Sequence, residues 1–152
     1  MKDSLIFYFD RDLSKLKNEL KAYKNEADIW KVKEGISNSA GTLALHLIGN
    51  LNHYIGANMG NTGYERDRDS EFSGKPVPLK EILVEIEETR RVITKALLEF
   101  PEDWFSRKYP LEEFGYPMTY EYFMTHLVSH LNYHLGQINY HRRLLTESNY
   151  QD

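Results

Sequence analysis

The sequence lacks cysteine altogether and has no long apolar run. With no cysteine among its 152 residues, disulfides, thiolate metal sites and a cysteine nucleophile are excluded, so any thiol chemistry needs an external thiol. No stretch approaches the roughly 20 apolar residues of a membrane span. The opening segment MKDSLIFYFDRDLSK has charges too early, and too short an apolar run, for a signal peptide. We therefore expect a cytoplasmic protein without membrane association.

The sequence also lacks a basic excess. Lys and Arg number 19 against 23 Asp and Glu, which gives a formal net charge of -4. Proteins that bind nucleic acid usually present a basic surface to the phosphates. Nucleic acid is therefore not an expected partner.

Apolar side chains recur at spacings of three and four in four segments, which predicts four amphipathic helices packed on a common core. The first helix is predicted over about residues 3–24, and the second from the candidate caps Ser37 and Asn38 to about residue 58. The third follows Pro76 and Pro78 and ends near residue 100. The fourth begins after Pro117, with Thr119 as its candidate cap. No hairpin pattern or internal repeat is present. The sequence predicts one all-α domain over residues 1–152.

Two connections are longer than the usual loop between antiparallel helices. Residues 59–77 combine glycine, proline and many charges, and a long crossover between two parallel helices would explain them. Residues 99–117 are rich in aromatic side chains. We expect this second connection to fold over the helices, where it could roof a pocket.

The histidines are unevenly distributed. His130 and His134 are four residues apart, so both imidazoles can lie on one helix face and reach one ion at about 2.0–2.1 Å. Satisfied core histidines are the alternative interpretation, and spacing alone leaves both open. A third ligand must come from the second helix, where His46 and His53 compete. Because seven residues separate them by about 10 Å along the axis, one of the two is expected to bind.

Other signatures of catalytic sites are missing. The sequence contains no HExxH motif, and no Glu-x-x-His pair of the kind found in di-iron bundles. It also has no phosphate-binding glycine loop and no GxSxG serine. The sequence thus favours a mononuclear site with nitrogen ligands.

Two strings on the second and fourth predicted helices, LHLIGNLNHYIGA (45–57) and HLVSHLNYHLGQI (126–138), resemble the DinB/YfiT-like superfamily of metalloproteins. Together with RDRDSEF (66–72), they are similar to a branch of that superfamily labelled mostly as domains of unknown function. The resemblance implies a four-helix bundle with up-down-down-up topology and a long crossover between helices 2 and 3. It also implies that His46, His130 and His134 are the metal ligands, and it leaves His53, His126 and His141 as packing or outer-shell residues.

The resemblance further implies an enzyme in which one divalent ion activates a small thiol for S-transfer to a small-molecule substrate, or activates water. Zinc is the first expectation, and nickel, iron or manganese are alternatives. Arg66 and Arg68 could bind carboxylates on the thiol or substrate, and Asn50 or Gln137 could bind substrate or orient the ligands.

Two other functions remain open. One is a non-catalytic metal-binding or stress-associated bundle. The other is a metal-dependent hydrolase, for which no motif assigns Glu71 or Glu112 as the general base. Exposed aromatic side chains could also form a homodimer interface.

Overall fold

The computed structural model describes residues 1–147, and these are organised into helices. The α-helices are α1 (Lys2–Lys21), α2 (Ala40–Leu51), the short α3 (Arg68–Glu71), α4 (Leu79–Glu99) and α5 (Tyr120–Glu147). There are also 3₁₀ turns at Glu26–Trp30 and Glu102–Trp104 and a π-helical turn at Asn52–Ala57. Across the described residues there is no β-strand, and Lys108 and Thr119 form an isolated β-bridge. The prediction of an all-α fold is confirmed.

Side-chain caps explain where α2 and α5 begin. Ser39 Oγ accepts a hydrogen bond from the Thr42 N–H at 3.1 Å, so the cap of α2 is Ser39 and not Ser37 or Asn38, as the sequence had suggested. Thr119 Oγ1 accepts from the backbone N–H three residues later at 3.2 Å, as predicted for α5. A hydroxyl at this position satisfies a backbone donor that the first helical turn leaves free.

Contacts across α1 fix the direction of its neighbours. Its contacts with α4 pair early residues with late ones: Lys2 with Leu98, Asp10 with Arg90, and Lys17 with Glu87. Its contacts with α5 follow the same order on both helices: Asp12 with Asn132, and Glu19 with Asn139. Hence α1 runs antiparallel to α4 and parallel to α5.

Contacts of α2 and its π-helical extension complete this description. Against α5 the order is reversed, since His46 meets His130 and Tyr54 meets Phe123. Against α4 the order is the same, since Asn52 meets Thr89 and Gly56 meets Val92. Thus α2 runs antiparallel to α5 and parallel to α4. Residues 58–78, which include α3, join these two parallel helices.

The long connection before α5 packs onto the core. Tyr109 is completely buried, and its hydroxyl donates a hydrogen bond to the Tyr54 carbonyl at 2.8 Å. Phe105 is also buried, and the Phe114 ring lies 4.7 Å from the His126 ring. Within residues 1–147, no helix combines the length and apolarity that crossing a membrane requires.

Candidate metal centre

Helices α2 and α5 bring three histidines together. His46 is buried on α2, and His130 and His134 are half-buried on α5. Nε2 of His130 lies 3.3 Å from Nε2 of His46 and 3.1 Å from Nε2 of His134. One potential ligand atom from each residue lies within 4.8 Å of the others. This arrangement could hold a metal ion on three imidazole nitrogens.

The outer nitrogen of His46 contacts a buried carboxylate. Glu71, at the end of α3, is only 6% exposed, and its Oε2 lies 3.1 Å from Nδ1 of His46. Arg66 binds the same carboxylate in a bidentate manner, with Nε 2.7 Å from Oε1 and Nη2 2.8 Å from Oε2. Such two-pronged pairing fixes both groups in orientation as well as in charge.

The charge of Glu71 determines the tautomer of His46. Burial raises the pKa of the Glu71 carboxyl, but hydrogen bonds from Arg66 and His46 and their charges outweigh this effect, so the pKa lies below its usual value. The ionised carboxylate can only accept, which places a proton on Nδ1 of His46. Arg66 Nη2 also lies 3.2 Å from this Nδ1. Because Nδ1 already donates its proton to Glu71, it does not accept a hydrogen bond from Arg66. The Nε2 lone pair of His46 therefore faces the other histidines.

A glycine makes room for the carboxylate. A Cβ atom at Gly49 would lie 2.0 Å from Oε1 of Glu71, far inside van der Waals contact. Gly49 is on α2, one turn from His46, and a helix-interior glycine is ordinarily destabilising relative to alanine. Its position is explained by the close approach of Glu71 to the helix backbone.

His134 has a partner on its own helix. Its Nδ1 lies 2.6 Å from Oε1 of Gln137, three residues later. An amide oxygen only accepts, so this contact also places the proton on Nδ1 and leaves Nε2 free. Burial lowers the pKa of His134, the hydrogen bond to Gln137 raises it, and repulsion from His46 when that residue is protonated lowers it; the net pKa is below the usual value.

His130 differs from the other two. Its Nδ1 is buried without a hydrogen-bond partner in the described part of the chain. Burial, followed by the repulsion that a protonated His130 would meet from protonated His134 or His46, lowers the pKa of His130 to about 3. The imidazole is therefore neutral at physiological pH, which is the state that binds metal ions.

The predicted substrate-binding residues occupy different positions around the cluster. Arg66 is engaged with Glu71. Arg68 is exposed, and its guanidinium lies 5.1 Å from the ring centre of Phe72, a ring that is itself 5.0 Å from His46. Asn50 is buried on α2, and its Oδ1 has no partner among the described residues. Their roles in binding a thiol or substrate stay predictions.

The remaining histidines lie outside the cluster. His53 packs edge-on against Tyr54, with ring centres 4.8 Å apart. His126 is stacked beside His130 at 5.9 Å. His141 is buried, with Nδ1 2.7 Å from the Tyr23 hydroxyl and Nε2 2.8 Å from the Lys31 carbonyl oxygen. This last histidine is a core residue with both nitrogens satisfied.

Sequence reasoning missed the role of Glu71. It lies in the charged segment RDRDSEF, in which the sequence favours the two arginines as functional candidates and no motif assigns the carboxylate a role. The available signal was Gly49, an isolated glycine inside an apolar helical pattern, which often marks a close approach of another group.

Two cavities flank the cluster along α5. One, of about 340 Å³, lies between residues 35–38 and the last turns of α5 and is lined in part by Gln137. The other, of about 570 Å³, is lined in part by His126 and Ser129. Gln137 contacts His134 and His126 stacks on His130, so each cavity borders a neighbour of the cluster, although His46, His130 and His134 line neither cavity.

These features define an all-helical protein with a candidate trihistidine metal centre. The chain belongs to the DUF1572 family, described as a protein of unknown function, whose model matches residues 6–152. A search of the curated proteins gave no match, and neither did a search of the solved structures.

Proposed function

We propose that this protein binds one divalent metal ion on His46, His130 and His134, and that the centre is catalytic. The observation that carries the proposal is the convergence of three Nε2 atoms. It is supported by oxygen acceptors at Nδ1 of His46 and His134, because histidines that ligate metals usually donate their second N–H to such a group.

We also propose that the chain is a member of the DinB/YfiT-like superfamily and has its four-helix bundle. In this interpretation α1, α2, α4 and α5 are the four helices of an up-down-down-up bundle, with residues 58–78 as the crossover. The pairwise helix directions support it, and so does the pair of histidine-bearing strings on α2 and α5.

Zinc is the proposed metal, with nickel, iron and manganese as alternatives that imidazole ligands also suit. Three neutral imidazoles leave the full charge of the ion uncompensated and leave a coordination position for an exogenous group, as in catalytic sites. Closed structural sites have four protein ligands. The cluster found within residues 1–147 has three, which favours catalysis over a purely structural or stress-associated role.

We propose that the exogenous group is a small thiol rather than water. When bound, a divalent ion supplies a strong positive field that favours the deprotonated form of a thiol or a water molecule. Water activation for hydrolysis usually also needs a general base. Glu71 is a carboxylate in contact with the cluster, and both its oxygens are engaged by Arg66 and His46. A thiolate nucleophile does not need such a base.

The remaining parts of the proposal follow from the same argument. The substrate is a small electrophilic molecule that enters beside the thiol, and Arg68 is the arginine available to bind its carboxylate. Nucleic acid is not a proposed partner. A cytoplasmic location and a homodimer also stay predictions.

Metal content tests the centre. Elemental analysis of tag-free wild-type protein should give about one zinc per chain after loading and desalting, and His46→Ala, His130→Ala and His134→Ala should each lose it. His53→Ala is the matched control and should retain the metal. Retention by all three ligand variants would refute the site.

Thiol binding tests the chemistry. Protein loaded with cobalt(II) should develop a sulfur-to-cobalt charge-transfer absorption when L-cysteine or 2-mercaptoethanol is added, and the spectrum of the metal-free protein should not change. A cobalt spectrum that is insensitive to thiols would refute the thiol part of the proposal and leave the metal site standing.

A further inference from the structure

Two buried polar atoms, one on each of the facing helices α2 and α5, have no hydrogen-bond partner among the described residues. They are Oδ1 of Asn50 on α2 and Nδ1 of His130 on α5. Asn50 is only 7% exposed, so its amide oxygen has little access to water. Buried polar atoms are almost always paired in native proteins, and two unpaired atoms on helices that face each other call for an explanation.

The directions of α2 and α5 incline the two side chains toward each other. The His46 ring lies 5.1 Å from His130 and 5.3 Å from His134, so His46 is level with a point between them. Asn50 is one turn beyond His46 on the same face. Because α2 and α5 are antiparallel, that turn faces the side of His130 away from His134. Side chains lean toward the N-terminus of their helix, which inclines His130 toward Asn50 and Asn50 toward His130.

The chemistry of the two atoms is complementary. A neutral imidazole that uses Nε2 as a metal ligand carries its proton on Nδ1, which then needs an acceptor. His46 has the carboxylate of Glu71, and His134 has the amide oxygen of Gln137. His130 lacks the equivalent contact, and the unpaired oxygen of Asn50 is an acceptor without a donor. One hydrogen bond would satisfy both.

We propose that Asn50 is the positioning residue for His130, and that its Oδ1 accepts the His130 Nδ1–H when the metal is bound. This inference rests on the proposed metal centre. In the structure, Nε2 of His130 contacts Nε2 of both His46 and His134, and Nδ1 of His130 has no partner among the described residues. The bond to Asn50 orients the ring and fixes its tautomer, so Asn50 acts through His130 and does not ligate the ion.

The experiment compares Asn50→Leu, which has a similar volume and no acceptor, with Asn50→Asp, which keeps an oxygen acceptor. Zinc affinity is measured by competition with a chromophoric chelator. Asn50→Leu should bind zinc 10- to 100-fold more weakly, as is typical when such a partner is lost, and Asn50→Asp should restore most of the affinity. Gln137→Met, which removes the acceptor of His134, should resemble Asn50→Leu, whereas His53→Ala should resemble wild type.

Imidazole ¹⁵N–¹H NMR of the zinc-loaded proteins supplies a readout that a packing role would not change. The Nδ1–H signal of His130 should be protected from exchange in wild type and Asn50→Asp, and lost in Asn50→Leu, while the Nδ1–H signal of His46 persists. Unchanged affinity and an unchanged His130 signal in Asn50→Leu would overturn the proposal. So would weaker zinc binding with the His130 signal intact, since that result would make Asn50 a packing residue or a direct ligand and not the partner of His130.

Failure of the metal centre itself would look different. Wild type would then bind no zinc and would give no zinc-dependent histidine signals, which would overturn both proposals. If His130→Ala abolishes binding while Asn50→Leu has no effect, the centre stands and the role of Asn50 is refuted. Asn50→Ala takes the place of Asn50→Leu if circular dichroism shows that the leucine variant is not helical.

Discussion

At the scale of single residues, the candidate centre depends on contacts that set which imidazole nitrogen carries a proton. Glu71 does this with a charge and Gln137 with a neutral amide. Glu71 lies 25 residues from His46 in the chain and fits against α2 because Gly49 has no side chain. Gln137, by contrast, lies on the same helix as its partner His134. The position of Glu71 is therefore the more sensitive of the two to substitution.

Gly49→Ala tests this sensitivity. The new Cβ would occupy the space of the Glu71 carboxylate, so we expect zinc affinity to fall about 10-fold or more through loss of the His46 contact. The matched control is Gly136→Ala on α5, where a Cβ meets nothing within 4 Å. That control should keep its affinity and gain about 0.5–1 kcal/mol in unfolding free energy. Equal affinity in both variants, measured by chelator competition, would show that Glu71 has no part in holding His46.

Asp12 gives a residue-scale prediction on pH. Its side chain is completely buried. Burial raises the pKa of its carboxyl, but hydrogen bonds from Arg11 and Asn132 and the charges of Arg11 and Lys15 outweigh burial, and the pKa lies below its usual value. A depressed folded-state pKa contributes stability that is present above the unfolded pKa of about 3.9 and is lost as pH falls through the folded value.

Urea unfolding of wild type and Asp12→Asn checks this sign. At pH 7 the variant should be less stable by about 1–3 kcal/mol, because the buried donors lose their charged acceptor. The difference should begin to shrink below about pH 4, where the carboxyl of the unfolded chain takes up a proton, and should be lost as pH falls through the lower folded-state pKa. A difference that stays constant from pH 7 to pH 3 would rule out the charge of Asp12 as its source.

At the scale of helices, α2 begins where a serine hydroxyl caps it. Ser39→Ala should lower the free energy of unfolding by about 1 kcal/mol, because the Thr42 N–H loses its acceptor. Ser37→Ala is the control, since Ser37 is exposed and two residues before the cap. Thermal unfolding followed by circular dichroism should separate the two variants. The sequence alone would have favoured Ser37 or Asn38 as the critical residue.

Helix positions show how far the sequence could be interpreted. The long helices follow from apolar spacing, because each buries one face on the core. The π-helical turn at Asn52–Ala57 was not predicted, since the apolar pattern continues through it. The short α3 carries no periodic signal over its four residues. It is stabilised by Asp67, whose side chain accepts from the Ser70 N–H, and by the contacts of Glu71.

The candidate centre, like the helices, could be predicted in part from the sequence. The pairing of His130 with His134 follows from their spacing of four. Spacing left His46 and His53 open, and the choice of His46 came from the resemblance to a family. Glu71 could not be inferred, because its contact with His46 depends on the path of a loop. The unpaired state of Asn50 is likewise a property of packing that no pattern in the sequence encodes.

At the scale of the whole molecule, the apolar core is built from side chains other than the three candidate ligands. The buried apolar side chains form a cluster to which all four long helices contribute. The three histidines lie between α2 and α5 and interrupt that core at one level only. Small metal-dependent domains, by contrast, unfold when the metal is removed. We therefore expect metal binding to add stability to a chain that is already folded.

Chelation tests this expectation. With excess EDTA, the helical circular dichroism of wild type should be retained, and unfolding should stay cooperative. Free zinc at 100 times its dissociation constant should raise the unfolding free energy by about 2.7 kcal/mol, because the ion binds the folded state. His130→Ala should show the helical signal without this zinc-dependent gain. Loss of helix on chelation would instead mean that the ion organises the fold, and the centre would then be structural rather than catalytic.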